Sequence, residues 1–155
     1  MKLTKYSSIA VVILIMQYFF ESCSAQEKKI LEIGKVIPDS LILSQGSFIL
    51  ISSGQLKMAN NIKINGINYT IVKDKENKIN YIETKDKNFN TEENIKIGML
   101  LKEVKKTVTA DLKYERGWAY YLPLPSGWNA GFKLSQNDMS KISNDSTITW
   151  LFKRK

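Results

Sequence analysis

The chain has 155 residues and a mass of 17.8 kDa, with 43% hydrophobic and 25% charged residues, which places it in the range of one folded domain rather than a disordered tail. It contains no histidine and one cysteine, so a Ser-His-Asp triad in cis and an internal disulfide framework are excluded, and the side chains that most often bind zinc are missing. The net charge of +8 favours anionic surfaces. Only Arg116 and Arg154 are arginines, however, and with so few guanidinium forks the sequence predicts no nucleic-acid partner.

Lys2 and Lys5 precede the uncharged run Ile9 to Phe20, and the small residues Ser22, Cys23, Ser24 and Ala25 follow it. This order is that of a secretory signal peptide. A membrane-spanning helix needs about 20 apolar residues, and Glu21 ends the run before that. Two cleavage sites are compatible with it. Cleavage after Ala25 discards residues 1–25 and releases a free secreted chain. Cleavage after Ser22 discards residues 1–22 and leaves Cys23 at the new N-terminus, where its thiol takes a lipid anchor. The stretch ESCSAQ resembles the short Cys-x-Ala-Gln starts of small bacterial envelope lipoproteins. Either way the protein is expected in the bacterial cell envelope, periplasmic or on the outer membrane, or secreted.

Residues 23–29 read as a polar tether and residues 30–155 as a single domain, since no repeat or Pro-rich linker divides them. Ile30 to Ile37 alternates loosely as a strand, and Phe48 to Ile51, between Gly46 and Gly54, reads as a short buried strand. The clearest signal is IKINGINYTI. Apolar residues at period two flank Asn65-Gly66, a pair suited to the two positive-φ positions of a type I′ turn. With Ile79 to Thr84 beyond the polar loop Asp74 to Asn77, this predicts a three-stranded meander over about 61–84.

Farther along, Leu100, Leu101, Val104 and Val108 fall at helical spacing with Lys102, Lys105 and Lys106 off that stripe, which predicts a short amphipathic helix. Leu112 to Glu115, Trp118 to Leu124, Trp128 to Leu134 and Thr147 to Phe152 then read as further strands. The expected fold is α+β, an antiparallel meander with one short covering helix.

The segment Ile95-Lys96-Ile97-Gly98-Met99, followed by Glu103-Val104, resembles the I-x-x-G-M-x-x-x-x-V opening helix of small outer-membrane lipoproteins of the SmpA/OmlA type. The resemblance implies a helix that packs on a small antiparallel sheet and an envelope setting among proteins that assist outer-membrane protein assembly. Leu100 stands where that family usually carries a capping Ser or Thr. The resemblance assigns no binding residue.

Chemistry is sparse. A metal site would have to be built from oxygen ligands alone, and no D-x-D-x-D-G loop exists, so neither metal nor cofactor is predicted. Glu92, Glu93, Asp111 and Glu115 are the carboxylates available for glycoside hydrolysis, but nothing in their surroundings splits an acid from a base, and no catalytic residue is assigned. The most unusual stretch is WAYYLPLPSGWNAGF. Its Trp118, Tyr120, Tyr121 and Trp128 combine apolar rings with polar tips, as partner interfaces and carbohydrate sites require. Strand alternation sets Trp118 and Tyr120 on one face and Tyr121 on the other, with Tyr121 and Trp128 the more exposed. The sequence thus predicts a lipid-anchored, non-enzymatic domain that binds an envelope protein or glycan through these four residues. The competing readings are a secreted carbohydrate-active hydrolase and a purely structural envelope protein.

Overall fold

A computed structural model describes residues 31–133 and 142–155. The signal segment, Cys23, the tether and Leu134 lie outside the described residues. Eight strands follow in order: β1 (Ile42–Ser52), β2 (Gln55–Ile64), β3 (Ile67–Lys73), β4 (Ile79–Thr84), β5 (Lys113–Glu115), β6 (Ala119–Pro123), β7 (Asn129–Phe132) and β8 (Trp150–Arg154), with one helix, α1 (Leu101–Thr107), between β4 and β5.

All pairings are antiparallel and form one sheet in the order β1-β2-β3-β4-β8-β7-β6-β5. The sheet is therefore two four-stranded meanders joined where β4 pairs with β8. Local chemistry accounts for the turns. Asn65 and Gly66 take φ of 51° and 81° and close the β2–β3 hairpin in perfect register from Ile64–Ile67 to Asn60–Ile71. Between β3 and β4, the Asp74 carboxylate accepts the backbone N–H groups of Glu76 and Lys78, and Asn77 takes the positive φ.

The two outer ends of the sheet meet. Trp118 Nε1 donates to the Leu50 carbonyl at 2.9 Å, Ser53 N donates to a Glu115 carboxylate oxygen at 2.6 Å, and Arg154 reaches both Glu115 (2.7 Å) and the Ile51 carbonyl (3.4 Å). The sheet thus curls, and its inner face encloses Ile51, Ala59, Val72, Tyr81 and Phe152, with Ile49, Trp118, Tyr121 and Trp150 packed against them. On the opposite face Ile62, Ile71, Ile82, Leu122 and Leu151 are fully buried, as are Leu101 and Val104 of α1. The helix starts where the apolar spacing placed it. Gly98 turns the chain at φ of 90°, and the Glu103 carboxylate accepts the Leu100 N–H at 2.8 Å, so a side chain of the first turn supplies the cap that Leu100 lacks.

Two expectations need correction. Residues 31–37 are not a strand: Gly34 takes φ of 86°, its N–H and the Lys35 carbonyl bond to Ile79, and only Val36 forms a bridge, with Lys78. The buried strand expected over Phe48 to Ile51 is the end of the eleven-residue β1, and of these four residues only Ile51 is buried. An edge strand has one open flank, so an apolar run there need not be enclosed.

Candidate functional site

Ladder register places one row of side chains across the inner face. Ser44 opposes Asn61, Asn61 opposes Thr70, Thr70 opposes Glu83, and Glu83 opposes Phe152. The first three are linked: Asn61 Nδ2 donates to Ser44 Oγ at 3.2 Å, and Thr70 Oγ1 donates to Asn61 Oδ1 at 3.3 Å. A parallel row begins two residues along each strand, where Val72 opposes Tyr81 and Tyr81 opposes Arg154. The polar row therefore borders the apolar cluster.

Glu83 stands at this border and is 7% exposed. A carboxylate so placed requires partners, because burying an unpaired charge is far costlier than burying a bonded one. The Tyr81 hydroxyl donates to Oε2 at 2.8 Å, and Lys85 Nζ lies 2.9 Å from Oε1. Burial, reinforced by the neighbouring Glu83 charge, drives the Tyr81 hydroxyl well above its usual pKa, so it remains a donor. The buried Trp150 indole N–H acts on the same hydroxyl, easing that rise, without reaching hydrogen-bonding geometry.

A cleft of about 370 Å³ opens at the polar row, lined by Asn61, Asn68, Thr70, Glu83, Lys85 and Asp86 with Leu43 and Tyr69. Asp86 is held in place. Its carboxylate accepts the N–H of Asn88 and both the N–H and side-chain amide of Asn68, and these bonds keep its pKa below the usual value. Burial, and secondarily the charge of Asp86, push the Tyr69 hydroxyl up to about 12. The cleft thus presents hydroxyl, amide and carboxylate groups from β2, β3 and β4, with the Lys85 ammonium and the Asp86 carboxylate just beyond β4, a set suited to binding a hydroxyl-rich ligand.

Of the four aromatic residues singled out by the sequence, Trp118 and Tyr121 are brought together, and Tyr120 and Trp128 lie apart from them. Trp118 precedes β6 in the Gly117 turn, so strand alternation does not apply to it, and it sides with Tyr121 rather than Tyr120. Its ring lies 5.9 Å from Tyr121 and 5.0 Å from Phe152, and the Arg154 guanidinium sits 4.7 Å from its centroid. Trp118 and Tyr121 close the curled sheet. Tyr120 stacks on Tyr114 at 4.5 Å. Trp128, expected near the surface, is 8% exposed, packed 4.8 Å from Phe89 with Lys153 Nζ 5.2 Å from its ring. The polar loop over 85–94 folds back and covers it.

Two of the carboxylates weighed from the sequence are held by structural partners. Glu93 accepts the backbone N–H and the hydroxyl of Ser126, and Glu115 accepts from Ser53 and Arg154. Glu92 and Asp111 are exposed. Glu83 was missed as a site residue, although its signal is present: it falls in step with Ile79 and Tyr81 on the apolar side of β4. Among the described residues no three or more His, Cys, Asp or Glu side chains converge as a metal site would require.

The fold defines a mostly-β protein, an eight-stranded antiparallel sheet with one small helix. It resembles the crystal structure of the uncharacterized protein yfeY from Escherichia coli, with a TM-score of 0.51 and 12% sequence identity over 81% of this chain and 97% of that one. No family model matches the chain, and no curated protein matches it in sequence.

Proposed function

We propose that this is an exported bacterial envelope protein, held to a membrane by a lipid on Cys23, that acts without catalysis by binding a glycan in the cleft at Glu83. The export segment and the ESCSAQ stretch support the setting. So does the IKIGMLLKEV segment, whose Gly-Met turn leads into α1 as the resemblance to SmpA/OmlA-type lipoproteins implies.

One observation carries the ligand class: the hydrogen-bonded row Ser44–Asn61–Thr70 ends at a buried carboxylate that faces the cleft. Short hydroxyl and amide groups on adjacent strands repeat at about 4.8 Å, a spacing that suits alternate hydroxyls of a sugar ring, two carbons apart, rather than vicinal ones. Lys85 neutralises Glu83 at 2.9 Å, which disfavours a bare cation as the occupant.

The test is calorimetric titration of the protein with a panel of soluble neutral and amino-sugar oligosaccharides. Binding of at least one is expected, weakened about tenfold or more in Glu83→Gln and Asn61→Ala, since loss of one bond to a charged or well-aligned polar group is worth that much. Absence of binding to every sugar, or equal binding by both variants, contradicts the proposal.

A further inference from the structure

β1 carries an extra residue at the edge of the cleft. Ile42 opposes Ile62 and Ser44 opposes Asn61, so two steps along β1 match one step along β2, and Leu43 has no ladder partner. Such a bulge re-aims a side chain, and bulges gather beside functional sites. Alternation from Ile42 sets Leu43 on the face that also carries Ser44 and Asn61. Leu43 accordingly joins Asn61, Thr70 and Glu83 in lining the cleft, and it is 65% exposed. A ligand bonded to the polar row therefore meets an uncovered leucine beside it.

The neighbouring amide indicates the chemistry that fits there. Asn61 Nδ2 donates one of its two hydrogens to Ser44 Oγ, and Oδ1 accepts one bond, from the Thr70 hydroxyl. Among the described residues, one N–H and one acceptor position of this carboxamide are thus left for a ligand. Charge does not favour an ionic group. Lys85 pairs with Glu83 at 2.9 Å, and Lys63 opposes Asn68, the residue that holds Asp86, so two lysines balance the two carboxylates of the cleft. A sugar hydroxyl can bond Asn61 but leaves Leu43 in water. An acetamido group is neutral, bonds the same amide and buries its methyl on the leucine.

We propose that the cleft selects N-acetylated amino sugars, with the acetyl methyl against Leu43 and the amide group at Asn61. This selection rests on the glycan reading of the Glu83 cleft and deepens it. Thr70 and Glu83 bond hydroxyls of whichever sugar enters, whereas Leu43, placed by the bulge, distinguishes one sugar from another.

The test is calorimetric titration of the full-length chain with three trisaccharides of the same linkage, built from N-acetylglucosamine, glucosamine or glucose. The N-acetylated trimer should bind at least about tenfold more tightly than either of the others, as one added amide hydrogen bond and one buried methyl together provide. Leu43→Ala should weaken that trimer about fourfold, the worth of the methyl contact, and leave the glucose trimer unchanged. Leu43 is largely exposed, so the substitution leaves the core intact. Equal binding of all three trimers, a preference for either of the other two, or an equal loss for all three in Leu43→Ala overturns the selection while the glycan reading stands. Binding of none overturns both.

Discussion

The indole of Trp150 lies against Gly131, its ladder partner on β7, so closely that a Cβ on residue 131 would fall within 2.7 Å of three indole carbons. Neither the β7 backbone nor a ring held among Phe152, Trp118 and Tyr81 can yield easily. Gly131→Ala should therefore destabilise the fold by about 2 kcal/mol or more, as overpacking in a filled core does. Thermal melting measures the loss, and a red shift of tryptophan emission should accompany it as Trp150 is displaced.

Arg154 and Glu115 fasten the two ends of the curled sheet. Their ion pair is about three-quarters buried and shares Tyr121 and the Ile51 carbonyl. Arg154→Met keeps the apolar stem but strands Glu115, and should lower stability by about 2–4 kcal/mol. Glu115→Gln, which leaves a polar partner, should cost less. Urea unfolding midpoints give both values.

Acid should loosen the same closure. Partial burial raises the pKa of Glu115, but hydrogen bonds from Arg154 and Ser53 and the charge of Arg154 outweigh it, and the carboxyl titrates below its usual 4.5. For Glu93, likewise, burial is outweighed by the hydroxyl and N–H of Ser126. A depressed folded pKa gives stability that is complete above the unfolded value and lost as pH falls through the folded one. The melting temperature should hold steady from neutrality to about pH 5 and decline below 4.5, with a shallower decline in Glu115→Gln.

Trp128 should behave as a core residue. Trp128→Ala is expected to cost about 3–5 kcal/mol through the cavity left against Phe89. Trp128→Phe, which retains most of the volume, should fold and bind any sugar ligand as the unmodified protein does. A specific loss of binding in Trp128→Phe with an unchanged melting curve would return this residue to the surface role that its sequence context suggested.

Much of the fold was legible because local chemistry agreed with the final arrangement. Asn65-Gly66 specifies its turn whatever the sheet does next, and the spacing of Leu101 and Val104 survives in α1, while Val108 is the extended residue that ends it. The strand order was not legible, because pairing of β4 with β8 joins segments separated by about seventy residues through register that no local pattern carries. Position in the sheet also decided what periodicity could not. The run Phe48 to Ile51 has a core composition but sits on an edge strand, while Trp128 has an interface composition but lies under the 85–94 loop. The candidate site was only partly legible. Glu83 could be seen out of place on an apolar face, but its row partners Ser44, Asn61 and Thr70 are ordinary surface residues until cross-strand register aligns them.

The most direct measurement is an amide chemical-shift titration of the isotopically labelled protein with the best-binding oligosaccharide from the panel. Saturable shifts concentrated at Ser44, Asn61, Asn68, Thr70 and residues 83–86, and missing from Glu83→Gln, are the predicted result. Shifts centred on Tyr114 and Tyr120, or none at all, would contradict the assignment of the Glu83 cleft as the binding site.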